Sequence, residues 1–211
     1  MEYLNAFLIA ALATLIAMPL VLKFFPKLRL MDKPGKYGLT RVPIPYSVGI
    51  VTFLIFVGVV LMFVPTSTYL VGFLFAATLI VLVSCIDDFY PLPPALRLGV
   101  QILAGVIMVM SDVGIHSISN QFGETFSLDT YRTVIGGFEI VWLADMFTIL
   151  WIVILINSVN WLDGVSGMAS GVGLIAAVAI FILSTRPGFH VLDQYPVSIM
   201  SAVMVGILVV F

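Results

Sequence analysis

Long apolar runs, separated by short polar segments, are the sequence feature that most restricts how this chain can fold. Seven runs occur, at residues 4–22, 48–64, 69–86, 94–110, 140–156, 165–184 and 197–211. A helix needs roughly 17 to 25 mostly apolar residues to cross a bilayer, and most of these runs are that long. Asp145 interrupts the fifth run. The pattern predicts an all-α fold, a polytopic transmembrane bundle of about seven helices.

The seventh run is still apolar at Phe211, where the sequence stops without a polar or aromatic anchor for the membrane interface. We therefore expect the chain to be truncated at its C-terminal end, inside the last helix. The segments between the runs are too short for a separate soluble domain. The sequence predicts one transmembrane domain over residues 1–211.

The placement of lysine and arginine predicts the orientation in the membrane, since cytoplasmic loops carry an excess of both. Six of the nine lie between the first two runs: Lys23, Lys27, Arg29, Lys33, Lys36 and Arg41. This puts the N-terminus outside, and counting crossings puts residues 87–97 and 157–163 on the cytoplasmic side. The net charge of -2 offers no broad basic surface, which argues against nucleic acid as a partner.

Residues 113–139 fall on the outer side and do not form a span. Residues 124–128 alternate in polarity, and Gly136 is followed by Gly137. Alternation next to a glycine pair is typical of strands joined by a turn, so we expect a short extracellular β-hairpin here.

Two adjacent carboxylates, Asp87 and Asp88, follow the third run. Ionisable residues near hydrocarbon indicate function by default, although a pair could also simply end a helix among lipid headgroups. Carboxylates this close suit a shared hard cation such as Mg²⁺, or a role as proton acceptor. Arg97 could bind a phosphate through the N–H groups of its guanidinium. Alternatively, it could only extend its side chain to the membrane interface.

A second polar segment joins the fifth and sixth runs and contains Asn157, Asn160 and Asp163. A helical turn would place the two asparagines on one face beside Asp163, presenting oxygen ligands or donors to a nucleotide. In the loop between the first two runs, Lys36 and Arg41 could hold phosphates. The alternative, that the charges of this loop only obey the positive-inside rule and bind anionic lipid, explains most of Lys23, Lys27 and Arg29.

Together these segments resemble the polyprenyl-phosphate N-acetylhexosamine-1-phosphate transferases, a family that includes the phospho-N-acetylmuramoyl-pentapeptide transferases. The resemblance rests on three motifs spread over most of the chain. They are Asp32, Pro34, Pro43 and Pro45 in the first loop, then Asp87 and Asp88 followed by Arg97 and Gln101, then the N-x-x-N-x-x-D-G run from Asn157 to Gly164.

The resemblance implies transfer of a sugar 1-phosphate from a UDP-N-acetylhexosamine to a polyprenyl (undecaprenyl) phosphate lipid at the cytoplasmic face of the plasma membrane. It further implies Mg²⁺ as cofactor, with Mn²⁺ as a substitute. By the family pattern, Asp87 is the candidate base or orienter of the lipid phosphate, and Asp88 lies near the metal. Asn160 is then a metal ligand, and Asn157 and catalytic Asp163 shape the nucleotide pocket.

The sequence departs from the family pattern at two places. Residues 37–40 replace a basic and histidine-containing run, and Ser166 stands where the pattern has a second aspartate. The family's later metal-binding and histidine motifs would follow Phe211, so we expect the chain to be inactive by itself.

Other membrane proteins place carboxylates among helices and remain alternatives. A transporter or lipid flippase would carry its charges near the bilayer midplane, whereas these lie at helix ends. A CDP-alcohol phosphotransferase would show a D-G-x-x-A-R signature, which does not follow Asp163. A structural membrane module is the third alternative. The sequence leaves the sugar, the glycan pathway and the oligomeric state open, and a homodimer is compatible with it.

Overall fold

The structure, a computed structural model, describes residues 1–28, 31, 48–119, 125–136, 138–162, 167–186 and 194–210. Within these residues the chain forms seven helices: α1 (Glu2–Phe24), α2 (Val48–Phe63), α3 (Thr68–Phe89), α4 (Pro94–Met110), α5 (Trp142–Leu162), α6 (Met168–Ser184) and α7 (Tyr195–Val210). Four short strands lie between α4 and α5: β1 (Ser117–Ser119), β2 (Thr125–Ser127), β3 (Arg132–Ile135) and β4 (Phe138–Val141). The predicted helical architecture is confirmed.

Three of the helices are long and apolar enough to cross a membrane: α1 with 23 residues, α3 with 22 and α5 with 21. At 1.5 Å per residue they are about 32 to 35 Å long, which matches a hydrocarbon core of about 30 Å. The other four helices are shorter and equally apolar. Many large apolar side chains point outward, among them Leu12, Ile16, Phe75 and Ile175. Because such surfaces are stable only against lipid, the chain is a helical membrane protein.

The described helices form two compact units, residues 1–65 with 165–211 and residues 66–164. In the first unit α7 is central, because it packs against α1, α2 and α6. Eight of its 16 residues are buried, far more than in any other helix. Gly206 allows this packing, since a side chain there would collide with the carbonyl oxygen of Phe7 and with Ala10. Small residues at such crossings let membrane helices approach closely.

In the second unit α4 packs against α3 on one side and α5 on the other. Both pairs are antiparallel, as the contacting residues show. Gly72 on α3 lies against Ser111, just past the end of α4, while Gly105 on α4 lies 3.2 Å from Ile149 on α5, measured from an ideal Cβ. The end of α3, the start of α4 and the end of α5 therefore lie together at one end of this unit.

Helix α5 begins and ends later than the apolar run suggested. The predicted start, Ile140, belongs to β4, and the helix continues past the predicted end to Leu162. Asp145 accepts a hydrogen bond from the Val141 backbone N–H at 2.9 Å. A carboxylate in the first turn of a helix satisfies a free N–H and interacts favourably with the helix dipole. Asp145 thus stabilises the helix start and does not interrupt a span.

The segment between α4 and α5 forms two antiparallel strand pairs, β1 with β2 and β3 with β4, where one hairpin was expected. The predicted strand region is confirmed, although residue 124 and Gly137 lie outside the described residues. Leu128, Val141 and Ala144 form a small core under the strands. The Ile115 N–H donates to Thr148 Oγ1 on α5 at 2.8 Å. The strands are therefore attached to the first two turns of α5, at the end of the unit away from Asp87.

A chain of polar contacts links the two strand pairs. Arg132 donates to Glu139 at 2.9 Å and to Asp129 at 3.0 Å, and His116 Nδ1 lies 2.8 Å from Asp129 Oδ1. The hydrogen bond and charge of Glu139, followed by the charge of Asp129, raise the pKa of Arg132 above its ordinary value. The guanidinium of Arg132 therefore stays charged at any physiological pH.

Candidate functional site

The site begins where α3 ends and the chain turns into α4. Pro93 is the N-cap of α4 and Pro94 its first residue, a position where proline's fixed φ and missing N–H are tolerated. The residue before a proline is pushed toward extended backbone, and this helps to end α3 at Phe89. The short connection places the carboxylates of α3 directly beside the first turn of α4.

Asp87 accepts two hydrogen bonds across this turn. Its Oδ1 accepts from the Leu92 backbone N–H at 2.7 Å, and its Oδ2 accepts from Arg97 Nη1 at 3.0 Å. The Asp87 side chain is 25% exposed and that of Arg97 is 41% exposed, so the pair faces water on one side. Both oxygens of Asp87 are engaged, while the Arg97 fork keeps further N–H groups for another anion.

The second polar contact lies one helical turn further along α4. Asn157 Nδ2, on α5, donates to Gln101 Oε1 at 2.7 Å and to the Val153 carbonyl oxygen at 2.8 Å. Gln101 is only 9% exposed, and Asn157 is half-buried. A buried amide among membrane helices is costly unless paired, and here the two amides satisfy each other.

Arg97 and Gln101 are four residues apart and therefore lie on neighbouring positions of α4. The first contacts Asp87 on α3 and the second contacts Asn157 on α5. Helix α4 thus brings the acidic segment and the amide segment, distant in sequence, to one end of the unit. This agrees with the expectation that these segments meet.

Two further predicted residues, Asp88 and Asn160, lie on the last turns of α3 and α5 and have exposed side chains. Their oxygens are hard donors of the kind that Mg²⁺ prefers, and this ion commonly takes one or two protein ligands and completes its shell with water and substrate phosphates. Within the described ranges no three His, Cys, Asp or Glu side chains converge into a metal site. Asp88 and Asn160 therefore supply oxygens of the type that Mg²⁺ takes, and magnesium binding here stays a prediction.

Asp163, Lys36 and Arg41 lie outside the described residues. Their predicted roles, like the exact roles of Asp87, Asp88, Asn157, Asn160 and Arg97, stay predictions. Gln101 was part of the motif but received no role from the sequence. The signal that could have found it is a neutral polar residue inside an apolar run, one turn after Arg97, because such residues in membrane helices generally pair with another polar group.

The sequence profile described as glycosyl transferase family 4 matches residues 70–211, about two thirds of the chain. The match begins in α3 and includes both polar segments of the site. The chain belongs to glycosyl transferase family 4. Residues 1–69, with Lys36 and Arg41, precede the matched part.

Individual relatives agree with this family membership. A probable undecaprenyl-phosphate N-acetylglucosaminyl 1-phosphate transferase of Bacillus subtilis (strain 168) is 25% identical over 87% of the chain and 48% of its own length. A phospho-N-acetylmuramoyl-pentapeptide-transferase of Streptococcus pneumoniae (strain Hungary19A-6) is 27% identical over 96% of the chain and 62% of its length.

A third relative, a decaprenyl-phosphate N-acetylglucosaminephosphotransferase of Mycolicibacterium smegmatis, is 30% identical over 66% of the chain and 33% of its length. All three names describe transferases of a phosphorylated N-acetylated sugar, and two of them also name a polyprenyl phosphate, undecaprenyl phosphate or decaprenyl phosphate. The chain spans about half the length of these relatives.

Proposed function

We propose that the protein containing this chain transfers an N-acetylhexosamine 1-phosphate, such as GlcNAc-1-phosphate, from a UDP-sugar to a polyprenyl phosphate. The names of the relatives from Bacillus and Mycolicibacterium support both the polyprenyl phosphate acceptor and the N-acetylglucosamine phosphate group. The family membership supports a transferase over a transporter or a structural module.

The reaction is a displacement at the phosphorus atom that bears the sugar. An oxygen of the polyprenyl phosphate attacks this phosphorus and forms a new P–O bond. The P–O bond to the uridine-bearing phosphate breaks, and its electron pair leaves with UMP. The product is a polyprenyl diphosphate sugar. All reacting groups are anionic, so the site must supply positive charge and precise placement.

Asp87 and Arg97 would position the acceptor phosphate at the membrane surface. The free N–H groups of the Arg97 fork bind an anionic oxygen, and the contact with Asp87 keeps the guanidinium directed to this place. A phosphate monoester is largely ionised at pH 7, so a full proton transfer to Asp87 is not required. Asp87 thus acts mainly through Arg97 and through its own negative charge.

Asp88 and Asn160 would hold Mg²⁺ together with the diphosphate. When bound, the ion supplies positive charge that offsets the charge developing on the phosphate oxygens. Asp163 and Asn157 would form the side of the pocket that receives the nucleotide. The site would lie on the cytoplasmic side, because Lys23 in the last turn of α1 and Lys27 just after it mark that end as inside, and counting crossings then places the end of α3 inside.

The observation that carries the proposal is the assembly made by α4, which joins Asp87 through Arg97 and Asn157 through Gln101. It brings the Arg97 guanidinium, which could bind phosphate, to the same end of the helices as the carboxylate and the two amides. A phosphorylated lipid presents its headgroup at that depth, and a soluble nucleotide can reach it from water.

The proposal is tested with the full-length protein in isolated membranes. Radiolabelled UDP-GlcNAc and polyprenyl phosphate should give a labelled lipid only when Mg²⁺ or Mn²⁺ is present, and EDTA should abolish it. Asp88→Asn should lower the rate by about 100-fold or more, as expected for loss of a group that holds the metal. A labelled lipid that forms equally in EDTA, or an Asp88→Asn protein with full activity, would contradict the mechanism.

A further inference from the structure

We propose that Gln101 is a positioning residue that turns the amide of Asn157 so that its carbonyl oxygen, and not its NH₂ group, faces the ligand. This rests on the proposed function, since the ligand is taken to be the complex of a nucleoside diphosphate with its divalent cation. Asn157 would then accept a hydrogen bond from the ligand, or bind its cation, through the carbonyl oxygen.

The orientation of the Asn157 amide follows from its partner on its own helix. The Val153 carbonyl oxygen, 2.8 Å away, can only accept a hydrogen bond, so the Asn157 atom beside it must be the nitrogen. The same nitrogen lies 2.7 Å from Gln101, and the Gln101 atom facing it must therefore be its oxygen. One backbone acceptor thus defines the orientation of both amides.

Both N–H groups of Asn157 are used by these two contacts. Val153 lies one turn back toward the middle of α5, so an amide that directs its nitrogen there has its oxygen on another side. We place this oxygen on the side of the ligand, toward the end of α5. No residue in the described part of the chain donates to this oxygen, and it remains available to a ligand.

An amide oxygen binds electropositive groups and repels phosphate oxygens. Asn157 would therefore contact an N–H or O–H of the nucleoside, or the divalent cation, but not the diphosphate itself. The diphosphate would be left to the cation held by Asp88 and Asn160, and the acceptor phosphate to Arg97, one turn before Gln101 on α4. Without Gln101, one N–H of Asn157 loses its partner, and the amide gains the freedom to rotate and present NH₂ to the ligand.

The test compares Gln101→Met, which keeps the length of the side chain and removes the acceptor, with wild type, Asn157→Ala and the double variant. The purified full-length protein is titrated with UDP in the presence of saturating Mg²⁺ by calorimetry. Gln101→Met should raise the Kd about three- to tenfold, the range expected for one neutral hydrogen bond, with unchanged stoichiometry. The double variant should bind no more weakly than Asn157→Ala, because Gln101 then has nothing to position.

Thr148→Val is the matched structural control. Thr148 is buried on the same helix and bonds to Ile115 and to the Ala144 carbonyl oxygen, at the end of the unit away from the site. Loss of these hydrogen bonds should lower the melting temperature or the fraction of competent protein, with an unchanged Kd for UDP.

The outcomes separate the two proposals. The positioning role would be overturned if Gln101→Met changed neither the Kd for UDP nor the Mg²⁺ requirement. It would also be overturned if the double variant weakened binding by the product of the two single effects. If only the Mg²⁺ requirement rises at saturating UDP, the electropositive group is the cation and the positioning role stands. If wild-type protein binds UDP but forms no labelled lipid, the transfer reaction is refuted. The Kd of Gln101→Met for UDP then still tests the positioning role. Wild-type protein that does not bind UDP would refute both.

Discussion

Asp87 shows how a single side chain at a helix end can serve structure and chemistry together. Its contact with Leu92 N–H shapes the connection between α3 and α4, and its contact with Arg97 orients a guanidinium toward water. An ion pair that is partly exposed adds little to stability, about 0 to 1 kcal/mol. Under the proposed function, the pair serves to place charge where an anionic ligand arrives.

The first prediction concerns Arg97→Met in the full-length protein. Loss of a hydrogen bond to a charged group costs about 1.5–3 kcal/mol, so transfer to polyprenyl phosphate should fall about 10- to 100-fold. The melting temperature in detergent should change by a few degrees at most, because the pair is exposed. Initial rates and thermal unfolding are measured on the same preparation.

Arg132→Met is the control for this prediction. Arg132 is also an exposed arginine in contact with carboxylates, but it lies on the strands at the other end of the unit. It should leave the transfer rate within about twofold of wild type, since it reaches no reacting group. Equal losses of rate in both variants would show that Arg97 acts only through general stability.

At the scale of elements, the close contact of α4 with α5 sets the geometry of the amide pair. An ideal Cβ at Gly105 would lie 3.2 Å from the Ile149 Cα, and backbone cannot move aside as a flexible side chain can. Gly105 and Gln101 are four residues apart on α4 and face the same helix. Separation of the two helices at Gly105 would therefore also stretch the contact of Gln101 with Asn157.

The second prediction compares Gly105→Ala with Gly99→Ala on the same helix. Gly105→Ala should destabilise the protein by about 1–3 kcal/mol through overpacking, and should weaken nucleotide binding. Gly99 has nothing within 4 Å of its ideal Cβ, so Gly99→Ala should be neutral or stabilise by up to about 0.5–1 kcal/mol. Thermal unfolding in detergent provides the comparison. The opposite ranking of the two variants would refute the close crossing.

At the scale of the whole molecule, the second unit has two chemically different ends. The candidate site lies where α3 meets α4, and the paired strands lie between α4 and α5 at the other end. If α3, α4 and α5 each cross the bilayer, the two ends lie in different compartments. Under the proposed function, a nucleotide in the cytoplasm could then reach only the end that holds the candidate site.

The third prediction tests this arrangement by cysteine labelling of the full-length protein in a cysteine-free background that includes Cys85→Ala. Ser119→Cys places a thiol on exposed β1, and Tyr90→Cys places one beside the site, where Tyr90 is 74% exposed. An impermeant maleimide added to intact cells should label only position 119. Position 90 should react after the membrane is opened. Labelling of both positions in intact cells would show that the ends share one side.

The sequence by itself determined the class of fold, the approximate position of every helix, the family and most of the candidate site residues. It could do so because the length of an apolar run is set by bilayer thickness, and because ionisable residues close to hydrocarbon indicate function by default. The start of α5 was missed, since strand β4 is as apolar as the helix that follows and only its pairing with β3 distinguishes it.

Only the tertiary structure decided which polar residues meet. The sequence indicated Arg97, Gln101 and Asn157 but not which residues they contact. Hydrogen bonds between helices depend on register and on close packing at glycines such as Gly105. Asp145 changed from an apparent interruption of a span to a group that stabilises the start of α5, since a carboxylate's effect depends on which free N–H it reaches. Pairings of this kind arise from the relative placement of helices, which no local pattern records.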